Sequence, residues 1–342
     1  MKYARLGNTG LVVSRLSFGS MTFGSGQGPL GYIWRTGQQE ANALVDRCLE
    51  AGVNLFDSAD MYAGGESEVI LGKALGARRS EVALSSKAGF RASESQLRTG
   101  LSARNLIAQC EASLRRLGTD WLDVFIVHRD DPFTPVEETL RALEDLVRSG
   151  KVRYIGFSNW PAWKAALGWA TQKERNWTRF TAAQMYYSLA GRDVEYEMVP
   201  LMKESGIGMM VWSPLAGGFL AGRYTRQDPT GGAGRLKDFD FLPTDKETGW
   251  KIIDALSVIA KRRSVSIAAV ALAWLLAKPW ATTVLLGASK PAQLEDNLKA
   301  ADLDLTAAEI AELDALSAPA ALYPNWFNEK TADTATRQAL GV

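Results

Sequence analysis

Short apolar runs alternate along this chain with longer segments in which apolar residues recur every three or four positions. The short runs predict buried strands, and the longer segments predict helices that bury one face. After an initial hairpin, predicted strands occupy residues 16–19, 53–56, 82–86, 122–127, 152–157, 181–185, 208–212 and 282–286. Predicted helices occupy residues 39–51, 68–77, 103–117, 135–149, 161–172, 197–205, 250–263, 267–277 and 291–300. Strands that each lead into a helix, repeated in this way, predict a (β/α)8 TIM barrel, which is an α/β fold.

The segments outside this alternation extend the barrel at both ends. Residues 2–6 and 11–14 flank a Gly/Asn turn and predict an N-terminal β-hairpin that plugs one end. Thr306 and Glu309 have the spacing of a capping box, which predicts a C-terminal helix that ends near Leu316. Residues 318–342 follow as a tail. We expect residues 1–342 to form one domain.

Two of the barrel helices have start signals of their own. Thr134, Pro135 and Glu137 have the pattern of an N-cap, a first-turn proline and a capping box for the helix at 135–149. Ser67 is the predicted N-cap of the helix at 68–77.

A doubly wound dinucleotide-binding sheet is the main alternative fold. Its G-x-G-x-x-G fingerprint has one formal match, at Gly26, Gly28 and Gly31, but Pro29 and Gly31 disfavour the helix that should begin there. The sequence therefore favours the barrel.

Composition and charge exclude several functional classes. The 342 residues include 39 basic and 38 acidic side chains without a long run of either sign, so we expect neither nucleic acid nor membrane as a partner. A small uncharged or weakly charged substrate fits this balance better.

Cys48 and Cys110 lie in predicted helices without a CxxC spacing, which favours buried reduced thiols. Residues 1–5 lack the apolar region of a signal peptide, and the longest apolar run, 267–277, is shorter than the roughly 20 residues of a membrane span. We therefore expect a soluble, cytoplasmic protein.

Candidate chemistry is concentrated where three consecutive predicted strands end. Asp57 ends one strand and Tyr62 follows five residues later, Lys87 ends the next strand, and His128 ends the one after. Because the carboxyl ends of neighbouring parallel strands share one face, these four side chains can converge. A phenol has a reference pKa of about 10 and needs a nearby cation to become a useful acid. The set therefore contains an acid, a cation, a counter-charge and a group that can orient a substrate.

Each of these residues also has an ordinary structural explanation. Asp57 could cap a turn, Lys87 could be a solvated surface group, Tyr62 could be a rim aromatic, and His128 could simply end a strand. The joint spacing favours function. The other strand ends carry polar or aromatic groups as well, namely Ser20, Ser158 with Asn159, Gln184, Trp212 with Ser213, and Gly287 with Ser289.

At this point the chain resembles the aldo-keto reductase superfamily along nearly its whole length. The resemblance rests on the motifs GVNLFDSADMYAGGESE, LSSKAG, KVRYIGFSNW, WSPLAGGFLAGRY and LLGASKPAQLEDNL, together with the strand that ends in His128. The last three motifs also resemble the branch that includes the potassium-channel β-subunits. The resemblance implies a TIM barrel, NADPH as the usual cofactor, and reversible reduction of an aldehyde or ketone to the alcohol. It places Asp57, Tyr62, Lys87 and His128 in the catalytic tetrad positions, with Tyr62 as the general acid.

The resemblance also implies cofactor contacts. Trp212 is similar to the aromatic that stacks on the nicotinamide, and Ser158, Asn159 and Gln184 to the group that binds its carboxamide. The implied contacts of the pyrophosphate are Ser213, Pro214, Leu215, Gly217 and Arg223, and those of the adenosine phosphate are Gly287, Ser289, Gln293, Asp296 and Asn297. Ser20, Met21 and Asp57 complete the implied cofactor site.

The sequence departs from many NADPH-preferring relatives because no basic residue stands at Gly287 or Gln293. Lys290 or Arg235 could supply the missing charge, so we expect NADPH, with NADH possible.

Substrate and assembly are less constrained by the sequence. The loop at 22–37, with Tyr32 and Trp34, and the tail aromatics Tyr323, Trp326 and Phe327 would overhang one rim and favour a sugar-like, terpenoid or aryl carbonyl, unless they serve only packing. No oligomerisation signal is readable.

Two further functional classes stay open. One is a cofactor-bound regulatory subunit of the channel-associated type. The other is a TIM-barrel hydrolase, which a single histidine and a lone strand-end carboxylate disfavour.

Overall fold

The computed structural model describes residues 1–27, 31–226, 228, 241–243 and 245–341. Its strands are β1 (Tyr3–Arg5), β2 (Val12–Ser14), β3 (Leu16–Gly19), β4 (Leu55–Asp57), β5 (Ala83–Ala88), β6 (Leu122–Val127), β7 (Val152–Ser158), β8 (Phe180–Tyr186), β9 (Gly208–Trp212) and β10 (Ala281–Leu286). The helices are α1 (Gln38–Glu50), α2 (Glu66–Leu75), α3 (Ala103–Leu117), α4 (Val136–Arg148), α5 (Ala162–Glu174), α6 (Met198–Ser205), α7 (Lys246–Arg263), α8 (Ile267–Leu276), α9 (Pro291–Leu298), α10 (Ala307–Leu316), α11 (Asn325–Lys330) and α12 (Thr334–Leu340).

The strands β3 to β10 form a closed parallel barrel in chain order, and β10 closes the barrel by pairing with β3. The predicted (β/α)8 barrel is therefore confirmed, and the doubly wound sheet is excluded. Gly28 and Pro29 of the alternative fingerprint lie outside the described residues, and the first described helix begins only at Gln38.

The N-terminal hairpin plugs the amino end of the barrel, as predicted. β1 and β2 pair antiparallel, and the buried side chains of Leu6 and Val13 join the cluster inside the barrel with Leu55 and Met210. The turn abuts the barrel so closely that a Cβ at Gly7 would lie 2.4 Å from the carbonyl oxygen of Thr181. Gly7 also has φ +60, so a side chain there would be both strained and obstructed.

Apolar and polar side chains occupy different levels of the barrel interior. The amino half is filled by aliphatic residues such as Leu55, Val124 and Met210. Toward the carboxyl half, Ser85, Lys87 and Gln184 are buried instead. A second, larger apolar layer lies between the barrel and its helices and holds the buried thiols Cys48 and Cys110, which are free. Buried polar groups therefore mark the carboxyl rim.

Two of the predicted helix starts are wrong, because each side chain has another hydrogen-bond partner. Ser67 is not an N-cap, because α2 begins after the left-handed residue Gly65 and the Ser67 hydroxyl donates to the Ser20 carbonyl at 2.7 Å. Thr134 does not cap α4, because its hydroxyl donates to the Asp131 carboxylate at 2.6 Å and Pro135 takes the N-cap position. In both cases the hydroxyl donates to an oxygen outside the helix, the carbonyl of Ser20 after β3 or the carboxylate of Asp131 in the loop before α4.

Other boundaries differ by a few residues. α7 begins at Lys246, four residues before the prediction, because Asp245 caps it and accepts the backbone N–H of Glu247. The capping box of Thr306 and Glu309 at the start of α10 is confirmed. The tail contains two short helices, α11 and α12, that the sequence did not predict. None of the described helices is long and apolar enough to cross a membrane.

Candidate active site

An ion pair between Asp57 and Lys87 lies at the centre of the carboxyl rim. Asp57 ends β4 and Lys87 lies one residue before the end of β5, so neighbouring strands present the two side chains to the same interior space. The Nζ atom of Lys87 lies 2.5 Å from Oδ2 of Asp57 and 2.6 Å from the carbonyl oxygen of Ser58. Both side chains are buried, so this pair is screened little by solvent.

Both oxygens of the Asp57 carboxylate have hydrogen-bond partners. Ser85 on β5 donates its hydroxyl to Oδ1 at 2.6 Å, and Gln184 on β8 donates its amide N–H to the same oxygen at 3.0 Å. The second oxygen accepts from Lys87. Because three side chains from two other strands hold it, Asp57 is fixed in position.

Tyr62 approaches this pair from the turn after β4. Its half-buried ring centre lies 5.0 Å from the Lys87 ammonium. Ala63, Gly64 and Gly65 all have left-handed backbone conformations, with φ of 49, 63 and 97, and this tight turn leads directly into α2.

Lys87 stays protonated in this environment. Burial lowers its pKa, but the Asp57 carboxylate, the Tyr62 phenol and hydrogen bonds to both outweigh burial, so the pKa lies above its ordinary value of 10.5. A permanent cation therefore lies against the phenol.

His128 follows β6 and closes the other side of the space in front of Tyr62. Its ring lies 5.8 Å from the Tyr62 ring and 4.9 Å from the Phe90 ring, edge-to-face with both. Burial, and then the charges of Lys87 and Arg129, hold the pKa of His128 well below 6.5. His128 is thus a neutral imidazole at neutral pH, and its buried Nδ1 atom has no hydrogen-bond partner in the described part of the chain.

Polar groups from β7 and β8 adjoin a half-buried indole at the end of β9. Asn159 has the left-handed φ of 57, donates to the His128 carbonyl at 3.0 Å, and accepts the indole N–H of Trp212 at 3.2 Å. Ser158 donates to the Gln184 carbonyl at 2.7 Å. Predicted contacts of the carboxamide thus lie together, although the Gln184 side chain itself donates to Asp57.

The segment after β9 forms a tight backbone turn. Ser213, Ala216 and Gly217 all have φ near +50 to +67, and the Ser213 hydroxyl accepts the backbone N–H of Gly217 at 2.9 Å. The remaining predicted residues of this segment are Pro214, which is buried, Leu215, which is half-buried, and Arg223, which is exposed. Arg235 lies outside the described residues.

The predicted adenosine-phosphate residues cluster at the start of α9. Ser289 donates through its backbone N–H and its hydroxyl to Gln293 Oε1, at 3.1 and 3.2 Å. Exposed Lys290 occupies the N-cap position of α9. A Cβ at Gly287 would meet no atom within 4 Å. Asn297 is buried, and Asp296 pairs with Lys299 at 3.3 Å.

The first barrel strand joins this region because the barrel is closed. Thr22 donates to the Ala288 carbonyl at 3.0 Å, next to the buried Ser20 and the half-buried Met21. Predicted cofactor residues from both ends of the chain therefore meet at one rim.

Two residues of the site were missed from the sequence. Ser85 lies two positions before Lys87 on β5, so the strand alternation points both side chains inward and could have identified Ser85. Phe90 follows the same strand, and only its contact with His128 shows that it belongs to the site.

The aromatic side chains that were predicted to overhang one rim lie in different environments in the structure. Trp34 is buried and its indole N–H lacks a partner in the described residues, whereas Tyr323, Trp326 and Phe327 pack on one another and are exposed. The tail that carries them is attached through Asn325, which donates to the Tyr196 carbonyl at 3.3 Å.

The residues present fit a nicotinamide dinucleotide. A half-buried indole beside amide and hydroxyl groups suits a flat ring with a carboxamide, and a helix start with a serine and a lysine suits a phosphate. Within the described residues, no group of three or more His, Cys, Asp or Glu side chains could hold a metal ion.

Known proteins are similar to this chain along most of its length. The sequence profile described as the aldo/keto reductase family matches residues 15–318. A probable voltage-gated potassium channel subunit beta from Oryza sativa subsp. japonica is 36% identical over 89% of this chain and 92% of its own length. Versiconal hemiacetal acetate reductase from Aspergillus parasiticus is 34% identical over 95% of this chain and 99% of its own. An aldo-keto reductase from Alternaria alternata is 35% identical over 89% and 88%.

Proposed function

The chain belongs to the aldo/keto reductase family of oxidoreductases, and we propose that it reduces an aldehyde or ketone to the alcohol, and runs the reverse oxidation, with Tyr62 as the general acid. The observation that carries this proposal is the buried Lys87 ammonium, held by Asp57 and facing the Tyr62 phenol.

Tyr62 and Lys87 act as a pair. As a carbonyl carbon is reduced, negative charge grows on its oxygen, and a nearby donor must neutralise that charge and finally transfer a proton. Tyr62 donates this proton through its hydroxyl. The Lys87 ammonium stabilises the phenolate that remains, and Asp57 holds Lys87 in place and balances its charge.

His128 positions the carbonyl. As a neutral imidazole, it can hydrogen-bond a substrate without adding a charge. Two donors on one oxygen, Tyr62 and His128, would fix the direction of the carbonyl and polarise it.

A nicotinamide cofactor supplies the hydride when bound, and we propose NADPH, with NADH as a weaker substitute. Trp212 would pack on the nicotinamide, and Ser158, Asn159 and Gln184 would orient its carboxamide. Ser20, Met21 and Asp57 would complete the cofactor site. The segment from Ser213 to Arg223 would hold the pyrophosphate, and Gly287, Ser289, Lys290, Gln293, Asp296 and Asn297 the adenosine phosphate.

Two relatives named as reductases support turnover, and the rice relative supports a second candidate, a cofactor-bound subunit with little turnover. A panel of aryl, sugar-like and terpenoid carbonyls, followed at the nicotinamide absorbance with each cofactor, separates the two. We expect turnover with some members of the panel. Cofactor binding without turnover of any carbonyl would favour the subunit.

The variant Tyr62→Phe tests whether Tyr62 is the general acid, because it removes one oxygen atom and leaves the ring. We expect carbonyl reduction to fall at least about 100-fold, which is the low end of general acid catalysis, while the fluorescence titration with NADPH stays unchanged. Turnover near the wild-type rate in this variant would exclude Tyr62 as the acid.

A further inference from the structure

A second buried charge cluster lies behind the candidate active site, on the outer side of the barrel. Its centre is Glu68 in the first turn of α2, which is fully buried. Arg116 from α3 donates to Oε2 of Glu68 at 2.6 Å, and Ser86 from β5 donates to Oε1 at 2.5 Å. A buried carboxylate is costly unless it is paired, and here each oxygen binds a different element of the fold.

The bond to Ser86 reaches the strand that carries Lys87. Ser86 and Lys87 are consecutive on β5, so their side chains point to opposite faces, Lys87 into the barrel and Ser86 toward α2. Both side chains are fully buried. Glu68 therefore holds β5 from outside at the level where Lys87 meets Tyr62.

The bond to Arg116 reaches the turn that carries Tyr62. The Arg116 side chain lies against Gly65, where a Cβ would come within 2.7 Å of its Cδ and Nε atoms. Ala63 in the same turn has φ 49, a left-handed conformation that is unfavourable for a non-glycine residue. The backbone conformation of the turn is thus unfavourable by itself, and the Arg116 side chain packs against the turn at Gly65.

We propose that Glu68 is a positioning residue that sets the contact between Lys87 and Tyr62, through Ser86 on one side and Arg116 on the other. This inference rests on the proposed function, because it concerns the same acid and cation. Glu68 itself touches neither the substrate space nor the ion pair of Asp57 and Lys87. If the Glu68 side chain is displaced, the Tyr62 turn and β5 can shift relative to each other. The Lys87 ammonium then stabilises the Tyr62 phenolate less.

The simpler explanation is that Glu68 and Arg116 only join α2 to α3. The two explanations differ at Ser86, whose hydroxyl contributes nothing to a contact between helices. Ser113 offers a matched control, because it is equally buried and accepts from Nη2 of Arg116 at 3.2 Å, on α3 itself. Both Ser→Ala changes remove one hydroxyl from the same cluster.

We therefore compare Ser86→Ala, Ser113→Ala and Glu68→Gln with the wild-type chain. Ser86→Ala should lower kcat about fivefold and Glu68→Gln about tenfold or more, with the KM for the carbonyl and the NADPH dissociation constant within about twofold. The pH at which carbonyl reduction declines should move upward in Ser86→Ala, because a weaker contact with Lys87 leaves Tyr62 a weaker acid. Glu68→Gln also removes a buried negative charge that raises the pKa of the neighbouring Asp60, so this variant is compared in kcat alone. Ser113→Ala should match the wild type in kcat and in pH profile. Equal losses in the two serine variants, or a wild-type profile in Ser86→Ala, would overturn the inference.

A readout without turnover separates this inference from the proposed function. The tyrosinate absorbance that Tyr62→Phe removes reports the ionisation of Tyr62, and Ser86→Ala should shift that titration to higher pH whereas Ser113→Ala should not. If the wild type reduced no carbonyl, the proposed function would fail while this titration still decided the role of Glu68. If Glu68→Gln failed to fold, as a thermal melt would show, Ser86→Ala alone would decide it.

Discussion

At the scale of single residues, the site uses two buried groups in different protonation states. Lys87 is held as a cation by Asp57, whereas His128 is held neutral by burial and by neighbouring positive charges. Removing one member of a buried ion pair leaves the other uncompensated, which costs about 3–5 kcal/mol. Variants at Asp57 or Lys87 therefore test folding as well as chemistry, and variants at His128 test chemistry more cleanly.

His128→Asn keeps a hydrogen-bond donor at this strand end but shortens its reach and removes the ring. We expect turnover to fall at least tenfold, about 1.4 kcal/mol of barrier, with NADPH titration nearly unchanged. The loss should be larger for ketones than for small aldehydes, which are more electrophilic and tolerate poorer orientation. Steady-state rates for a matched ketone and aldehyde measure this difference. Unchanged ketone turnover with the cofactor still bound would remove His128 from the site.

Asp60 is a buried carboxyl that the proposed reaction does not use. Burial, and then the charge of Glu68, raise its pKa to about 7, although Arg116, the Met61 backbone N–H and Lys87 lower it in part. Its Oδ1 atom is buried without a hydrogen-bond partner in the described residues. The folded chain therefore holds this proton to about pH 7, whereas the unfolded chain releases it near 3.8, so Asp60 destabilises the fold as pH rises through this window.

Asp60→Asn cannot ionise, so its stability relative to the wild type should rise as pH increases from about 4 to about 7. The shift from 3.8 to about 7 corresponds to at most roughly 4 kcal/mol of unfolding free energy at full ionisation. Urea unfolding at pH 5 and pH 8.5 measures the gain, which should be larger at pH 8.5 than at pH 5 by well above about 1 kcal/mol. The exposed Asp120→Asn is the control, and an equal gain at both pH values would contradict an ionising Asp60.

At the scale of elements, the sequence correctly predicted the helix cap whose contacts all lie within one helical turn. The capping box of Thr306 and Glu309 is contained within one helical turn, so the sequence shows it and the structure contains it. Ser67 and Thr134 have the same local appearance, but their hydroxyls bind Ser20 and Asp131 instead. Sequence patterns could not identify the Ser20 carbonyl, because it comes from the end of another strand. They also do not show that the Asp131 side chain, three residues before Thr134, turns toward the Thr134 hydroxyl.

Helix α2 lies very close to the last residue of α3 at Gly72. A Cβ there would lie 2.3 Å from the backbone carbonyl oxygen of Leu117, which cannot turn aside as a side chain could. We expect Gly72→Ala to force the helices apart and to destabilise the fold by more than about 2 kcal/mol, measured by urea unfolding. Because α2 begins directly after the Tyr62 turn, kcat should fall in the same variant. Gly10→Ala, where a Cβ meets nothing within 4 Å, should leave both unchanged, and a similar loss in the two variants would refute the packing argument.

At the scale of the whole molecule, barrel closure explains how much of the rim could be predicted. Asp57, Lys87 and His128 end consecutive strands, so the strand count alone brings them to one face. The bond from Gln184 to Asp57 joins β8 to β4 across the barrel, and the cluster of Ser86, Glu68 and Arg116 joins three elements. Such contacts depend on side-chain reach in three dimensions, which no spacing along the chain encodes.

Closure also brings the last strand, β10, beside the first barrel strand, β3, and places the start of α9 at the same rim. Lys290 at this helix start is exposed and has no ion-pair partner in the described part of the chain, whereas Lys299 at the other end of α9 pairs with Asp296. A free cation at a helix N-terminus is suited to a phosphate.

Lys290→Ala should therefore raise the dissociation constant of NADPH more than that of NADH, since only NADPH carries the extra phosphate. We expect a loss of about tenfold for NADPH and less than about twofold for NADH, because a charge-assisted hydrogen bond contributes roughly 1.5 kcal/mol. Fluorescence titration with each cofactor measures both constants, and Lys299→Ala should leave both near the wild-type values. If Lys290→Ala weakened the binding of both cofactors equally, Lys290 would not contact the extra phosphate of NADPH. The selectivity for NADPH would then have to come from another cation.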